Sequence, residues 1–322
     1  MTITVVIPFY NGWKYINNCL KSLENQTVAA DEIVIVDDCS TDGSYEKLKD
    51  YAEKSELNIK LIRNSNNKGP GYSRKIGVQN ATMDYISFCD ADDWFEESFV
   101  YTIKEAIESN AWDLVIFDSF TVFQNGTKTR DQITKKITSD KSDVIANYAM
   151  SLCRLSVKRN LISEAEHSCL RHGEDGVLVA QVLVSAAKIG ILDIPLYNYY
   201  FREDSASKKP NKDAFYEMIE AFDIIQCHTK TSFFYETEYL GVKYICYGAT
   251  LVAFKSGVPI SEIKKALCDF EMVYPDWNKN CYLENLGLIK NIYLKMVKAR
   301  FLYCAKLLGM AHPFVVKLIK NA

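Results

Sequence analysis

None of the ten cysteines forms a C-x-x-C pair or a Cys–His spacing typical of a zinc site. That excludes a disulfide framework and a structural zinc, and reduced cytoplasmic thiols are the reading that remains. No uncharged apolar stretch reaches the roughly 18 residues of a membrane-spanning helix. The opening MTITVVIPFYNG has no basic n-region and enters an apolar run at once, so it reads as a first strand rather than a signal peptide. A net charge of -3 and a pI near 5.9 leave no basic stripe for nucleic acid, so no nucleic-acid partner is expected and any polyanion should be a local ligand. A P-loop is absent, because G-x-x-x-x-G-K-[ST] does not occur, which disfavours a P-loop nucleotidase. Internal repeats and low-complexity tracts are absent as well.

What is present is an ordinary globular composition, 48% hydrophobic and 25% charged over 322 residues, enough for one large domain or two modest ones. Short apolar runs recur at Thr4 to Pro8, Glu32 to Asp37, Ile59 to Arg63, Tyr85 to Cys89 and Leu114 to Phe120. Helix-like stretches lie between them, as from Tyr15 to Asn25, from near Ser44, and from Phe95 to Asn110. Alternation of this kind predicts βαβ units around a mostly parallel sheet. Runs such as EIVIVDD are apolar on both faces, as strands covered on both sides are. The polar stretch from Asn125 to Asp143 predicts an exposed loop or hairpin. After Ser207 the composition changes: KKPNKD reads as a break, and aromatic-rich helical segments follow, roughly Asp213 to Lys230, Glu236 to Phe254 and Ile260 to Val273. The expectation is an α/β domain over residues 1–207 and an all-helical C-terminal domain over residues 208–322.

In open parallel sheets ligands gather beyond the carboxyl ends of the strands, and there the chain places its acids. The second run ends in Asp37-Asp38 and the fourth in Asp90-Ala91-Asp92-Asp93. Two carboxylates in D-x-D spacing suit Mg²⁺ or Mn²⁺ beside a phosphate, whose oxygens complete the coordination. A single acid at such a place commonly caps the next helix. Three acids in four residues repel one another and call for a cation. Between the two acidic turns lies Asn67-Lys68-Gly69-Pro70-Gly71-Tyr72-Ser73-Arg74, a glycine-containing turn that can cradle phosphate with backbone N–H groups and Arg74. It is not a dinucleotide fingerprint, since Arg74 stands at the third glycine position and the turn follows the third run, not the first.

Taken in order, VVIPFYNG, EIVIVDDCSTDGS, NSNNKGPGYSRKIGVQNA and YISFCDADDW resemble the family-2 glycosyltransferases of the GT-A fold. HGEDGVLVAQVL and PLYNYYFREDSAS resemble the acceptor half of the same Rossmann-like fold, so the resemblance covers about residues 1–207. It implies an inverting, nucleotide-sugar-dependent transferase, with uridine the commonest base, a divalent metal as cofactor, and a bacterial surface polysaccharide or glycolipid as acceptor. It places Pro8, Phe9 and Asn11 at the rim of the nucleotide pocket, Asp38 on the base, and Gly69 and Arg74 against nucleotide and diphosphate. Asp90 would lie near the ribose and Asp92 on the metal, with Arg202 and Ser207 in a loop over the diphosphate. Asp175 would be the general base and Glu174 would orient acceptor or base. The chain departs from the family before the base, where SLCRLSVKRNLI replaces a tryptophan-lysine-aromatic segment.

The chemistry is consistent with this division, because an inverting transfer needs a carboxylate on the acceptor side and a Lewis acid on the leaving-group side. Two rivals stay open: a sugar-phosphate nucleotidyltransferase, whose glycine-rich basic loop after the first strand PFYNGWKY lacks, and a catalytically inactive GT-A scaffold subunit. From Lys290 onward the chain has seven Lys or Arg and no Asp or Glu, interleaved with apolar residues. Such a tail either lies on an anionic membrane at the inner face of the cell membrane, meeting a lipid-linked acceptor, or packs on its own domain with a solvated basic face. Homo-oligomerisation through the aromatic helices is a third reading.

Overall fold

The computed structural model describes residues 1–202 and 211–320, the last nine of these by backbone alone. It divides into two compact units, Met1–Ser205 and Ala206–Ala322.

In the first unit nine strands form one sheet: β1 Ile3–Phe9, β2 Glu32–Asp37, β3 Ile59–Arg63, β4 Tyr85–Phe88, β5 Trp94–Phe95, β6 Leu114–Phe123, β7 Lys128–Asp131, β8 Leu155–Lys158 and β9 Ile189–Phe201. The order is β3-β2-β1-β4-β8-β6-β9-β5, with β7 beside β6. Strands β3, β2, β1 and β4 run parallel, and every residue of β1 and β2 is buried, as the apolar runs on both faces require. The sheet is not parallel throughout. Strand β8 enters antiparallel between β4 and β6, and the β6–β9 pairing is parallel again. The mostly parallel sheet expected from the runs therefore describes one half of a mixed sheet. The polar segment after β6 forms a hairpin in part, as Phe123 N–H bonds to the Thr127 carbonyl at 2.9 Å before β7 returns along β6.

Helices α1 Trp13–Glu24, α2 Ser44–Lys54, α3 Pro70–Asn80, α4 Phe99–Asn110, α5 Lys141–Asn147, α6 Arg159–Ser163 and α7 Glu174–Ser185 connect the strands. Helix α1 turns Ile16, Cys19, Leu20 and Leu23 inward, the i, i+3, i+4, i+7 spacing of one buried stripe. Helix α3 lies close against β1 because Gly77 offers no side chain: a Cβ there would stand 2.3 Å from Val6 Cγ1. Both α3 and α7 begin after glycines with φ near +90°, Gly69 and Gly173. An L side chain is strained at that backbone angle, so glycine is what lets each chain turn sharply from loop into helix.

The second unit is helical: α8 Lys212–Thr229, α9 Phe234–Gly241, a π-helical stretch Val242–Ala249 that runs on into α10 Thr250–Ser256, then α11 Ile260–Val273, α12 Leu288–Lys298 and α13 Leu302–Lys320. Phe222, Phe270 and Tyr274 pack edge-to-face and tilted in its core, with ring centroids 5.1–6.3 Å apart. Among the described residues no helix is long and apolar enough to cross a membrane.

Candidate active site

The acids at the strand ends converge on one buried cation. Arg74, in α3, places its guanidinium 2.8 Å from Asp90 Oδ1 after β4, 2.9 Å from Glu174 Oε1 and 2.8 Å from Asp175 Oδ1, both at the start of α7. Its side chain is buried, and burial alone would disfavour the charge, but Asp175, Asp90 and Glu174 together hold it protonated. One arm is well aligned on Glu174 and the other on Asp90. Asp175 Oδ1 lies close to the guanidinium without an aligned N–H, so the contact is coulombic and that oxygen accepts no hydrogen bond. The guanidinium of Arg74 thus links the acidic turn after β4 to the pair at the head of α7.

Asp175 is pushed up from 3.8 to about 7, chiefly by burial, with Glu174 and Asp90 adding repulsion, while Arg74 and a backbone hydrogen bond from Leu152 pull the other way. Its side chain is 27% exposed, so one edge meets solvent while the surrounding protein desolvates the rest. Burial also raises Glu174, opposed by Arg74. The segment SLCRLSVKRNLI, which lacks the family's aromatic pattern, therefore contributes through its main chain, since Leu152 opens a 3₁₀ turn, Leu152–Arg154, at the base.

Asp92 pairs with Arg202, whose guanidinium also covers the Tyr15 ring at 4.2 Å. Burial first and Asp90 second raise the Asp92 carboxyl, against the pull of Arg202. Asp93 is buried and raised further, by burial and then by Asp90 and Asp92. It accepts from Tyr197 Oη at 2.6 Å and from Tyr200 N–H at 2.7 Å. Tyr197 Oη also accepts from the Asp90 N–H at 3.2 Å, so this tyrosine of β9 holds the whole acidic turn. Among the described residues no group of three or more His, Cys, Asp or Glu side chains is placed to hold a metal alone. The donor set fits a hard cation that takes one carboxylate, Asp92, and completes its shell with diphosphate and water. Asp92 already has Arg202 as its cation, while burial and Asp90 favour its neutral form.

The residues assigned to the nucleotide fall into two groups. Pro8 and Phe9 are buried within β1, and only Asn11 is partly exposed. Asn11 ties the β1 loop to the β2 loop by accepting from Thr41 N–H at 2.9 Å and donating its own N–H to Ser40 Oγ at 2.9 Å. Asp38 is buried, and its oxygens already accept from Lys68 N–H at 3.0 Å, Gly69 N–H at 2.7 Å and Asn64 Nδ2 at 2.8 Å. Asp38 thus clamps the glycine turn that leads into α3. Gly69 serves the same clamp. Arg171 reaches across from the loop before α7 to Asn67 Oδ1 at 3.0 Å, a contact between the two turns that sequence reasoning missed. Tyr197 was missed as well, although it lies within the PLYNYYFREDSAS segment that resembles the acceptor half. Ser207 lies outside the described residues.

With this geometry in hand, the chain compares with known proteins as follows. The family described as "Glycosyl transferase family 2" matches residues 4–167. The chain is similar to the glycosyltransferase GlyA of Streptococcus pneumoniae serotype 4, 26% identical over 233 residues, which cover 68% of this chain and 33% of that protein. It is 30% identical over 207 residues to the poly(ribitol-phosphate) beta-glucosyltransferase of Bacillus spizizenii, covering 62% of this chain and 32% of that one. It is also 26% identical over 230 residues to the poly(ribitol-phosphate) beta-N-acetylglucosaminyltransferase TarS of Staphylococcus aureus, covering 68% and 39%. The chain thus spans between about a third and two fifths of the length of these relatives. The crystal structure of TarS residues 1–349 with UDP-GlcNAc superposes with a TM-score of 0.74 at 20% identity, over 97% of this chain and 92% of that one. That likeness shows the fold, which is GT-A.

Proposed function

The chain belongs to glycosyl transferase family 2, and from that premise we propose that it moves a sugar from a UDP-sugar to a hydroxyl of a bacterial cell-wall or surface polysaccharide, with inversion. The observation that carries the reading is the single guanidinium of Arg74 bridging Asp90 on the donor side and Asp175 on the acceptor side. The acceptor class is supported by relatives whose names specify transfer to poly(ribitol-phosphate), and the donor class by TarS solved with UDP-GlcNAc. Ten free thiols are in keeping with a cytoplasmic enzyme. Transfer is assigned to residues 1–207 and an accessory role to the helical remainder.

In the proposed reaction Asp175 takes the proton of the acceptor hydroxyl. The hydroxyl oxygen attacks the anomeric carbon from the face opposite the leaving group, and the bond to the diphosphate oxygen breaks with its electron pair, releasing UDP. A base held near 7 is suited to this step, because about half of it is ionised at neutral pH and it is basic enough to draw the proton. Asp175 Oδ1 is buried against Arg74, so an acceptor hydroxyl reaches the carboxyl through its solvent-exposed edge. Glu174 and Asp90 hold Arg74 in place, and Arg74 orients the base. Asn11, Asp38 and Gly69 shape the donor pocket by fixing its loops, and Arg202 covers the diphosphate. Mn²⁺ or Mg²⁺, held by Asp92, supplies charge neutralisation for the departing diphosphate when bound.

Calorimetric titration with UDP and with GDP, each with and without Mn²⁺, tests the donor assignment. Metal-dependent UDP binding that Asp92→Ala removes is the expected result. Folded protein that binds neither nucleotide under any metal condition overturns it in favour of a scaffold subunit.

A further inference from the structure

The C-terminal helices carry apolar residues on two sides. One side is packed: α12 buries Tyr293, Leu294 and Val297, and α13 buries Leu302 and Ala305. Gly309 fits so closely there that a Cβ would lie 2.4 Å from Leu251 Cδ2. The other side faces solvent, yet it presents Phe301 (64% exposed), Tyr303 (74%), Leu307 (72%) and Met310 (50%). Tyr303, Leu307 and Met310 follow i, i+4, i+7 and form one stripe along α13. A helix that merely packs on its own unit turns polar residues outward, and this one does not.

Its charge has one sign. No Asp or Glu follows Glu284. Two cations near the stripe are neutralised within the unit, since Glu271 takes Lys298 at 3.2 Å and Arg300 at 2.6 Å. Lys295 and Lys306 have no ion pair among the described residues.

We propose that the Tyr303–Met310 stripe of α13, with Lys306 on the same helix and the exposed Lys295 on the neighbouring α12, is a docking surface for an anionic lipid bilayer, on which α13 lies flat at the headgroup level. Apolar side chains at such an interface enter the acyl boundary, a tyrosine keeps its hydroxyl among the headgroups, and lysines meet lipid phosphates. A second copy of the chain is the weaker occupant, because a two-fold contact sets the same patch against itself and brings its unneutralised lysines together. Anionic headgroups remove that repulsion. No described helix is long and apolar enough to cross the bilayer, so the contact is with its surface.

The test is flotation of the full chain with vesicles of phosphatidylcholine containing 30% phosphatidylglycerol, against vesicles of phosphatidylcholine alone. The chain floats with the anionic vesicles only, and less so as salt is raised. Lys295→Gln with Lys306→Gln weakens binding roughly 25-fold, about fivefold per lysine removed. Tyr303→Ser with Leu307→Ser abolishes it while the thermal midpoint stays at the wild-type value. Folded protein that stays with the pellet, or that floats equally with the neutral vesicles, overturns the proposal. A dimer in light scattering that Leu307→Ser splits, with no flotation, assigns the face to a second copy and also overturns it. The inference does not rest on the transferase reading, since a chain that floats but binds no nucleotide leaves it intact.

Discussion

Asp175→Asn is expected to make the protein more stable while it stops transfer. Holding a carboxyl near 7 in place of its ordinary 3.8 corresponds to about 4 kcal/mol of penalty on the ionised form, at about 1.4 kcal/mol per pH unit. The side chain is 27% exposed, and Arg74 keeps Glu174 and Asp90 when Asp175 is neutralised, so solvent screening and the shared cation reduce the effect to about 1–2 kcal/mol. The sign follows from proton binding. Between the ordinary value and about 7 the folded chain holds a proton that the unfolded chain has released, so wild-type stability falls as pH rises through that window. The asparagine has no proton to lose. Its advantage is therefore absent near pH 4, grows through pH 5 and 6, and is complete above about pH 8. For a unit of this size 1 kcal/mol moves the midpoint by about 2–4 °C, so thermal melts of the two proteins from pH 4.5 to 8.5 should separate by several degrees at the alkaline end. Transfer should fall by about 10²–10⁴-fold, the usual contribution of a positioned base. A variant that melts below wild type, or whose offset is the same at every pH, refutes both the origin of the raised acidity constant and the role of Asp175 as a strained, functional acid.

Arg74→Ala leaves Asp90, Glu174 and Asp175 facing one another without their cation and should cost about 3–5 kcal/mol in urea unfolding, with part of the loss recovered at acidic pH as the carboxyls protonate. Tyr197→Phe removes the hydroxyl that donates to Asp93 and accepts from the Asp90 N–H; a cost of about 1–3 kcal/mol in denaturant midpoint is expected, together with weaker UDP affinity in the calorimeter. Gly77→Ala forces a methyl toward Val6 Cγ1 at 2.3 Å, and overpacking of that kind should cost about 1–3 kcal/mol by the same unfolding assay.

The parallel half of the sheet was legible because its strands are short apolar runs separated by helices, a pattern set by burial on both faces. Strand β8 was not, since four residues within SLCRLSVKRN carry too little periodicity to stand out. Strand β9 is interrupted in its pairing: the register with β6 shifts around Asp118, where Pro195 stands opposite, and a proline inside a run argues against a continuous strand. The acids of the site were legible as residue types after strands, but their partners were not. Arg74 lies 16 residues from Asp90 and 100 from Glu174, and a basic residue after a glycine turn looks locally like a phosphate ligand. Only the topology, which brings the start of α7 against α3, turns it into a bridge among carboxylates. Asp38 shows the same limit, because the donors that saturate it come from a loop some thirty residues on.

Counting charge across the site explains why it is arranged around so few cations. Asp90 repels Asp92, Asp93, Glu174 and Asp175, and among the described residues Arg74 and Arg202 are the cations that pair with this group. The imbalance appears as raised acidity constants at Asp92, Asp93, Glu174 and Asp175, each driven first by burial. A site made only for stability would answer that strain with another arginine or with apolar replacements, since buried ion clusters are rarely worth their desolvation. Here the strain is left standing: Asp92 and Asp175 each keep one arginine and still carry raised acidity constants, and in the proposed reaction the first would gain a divalent cation and the second a proton.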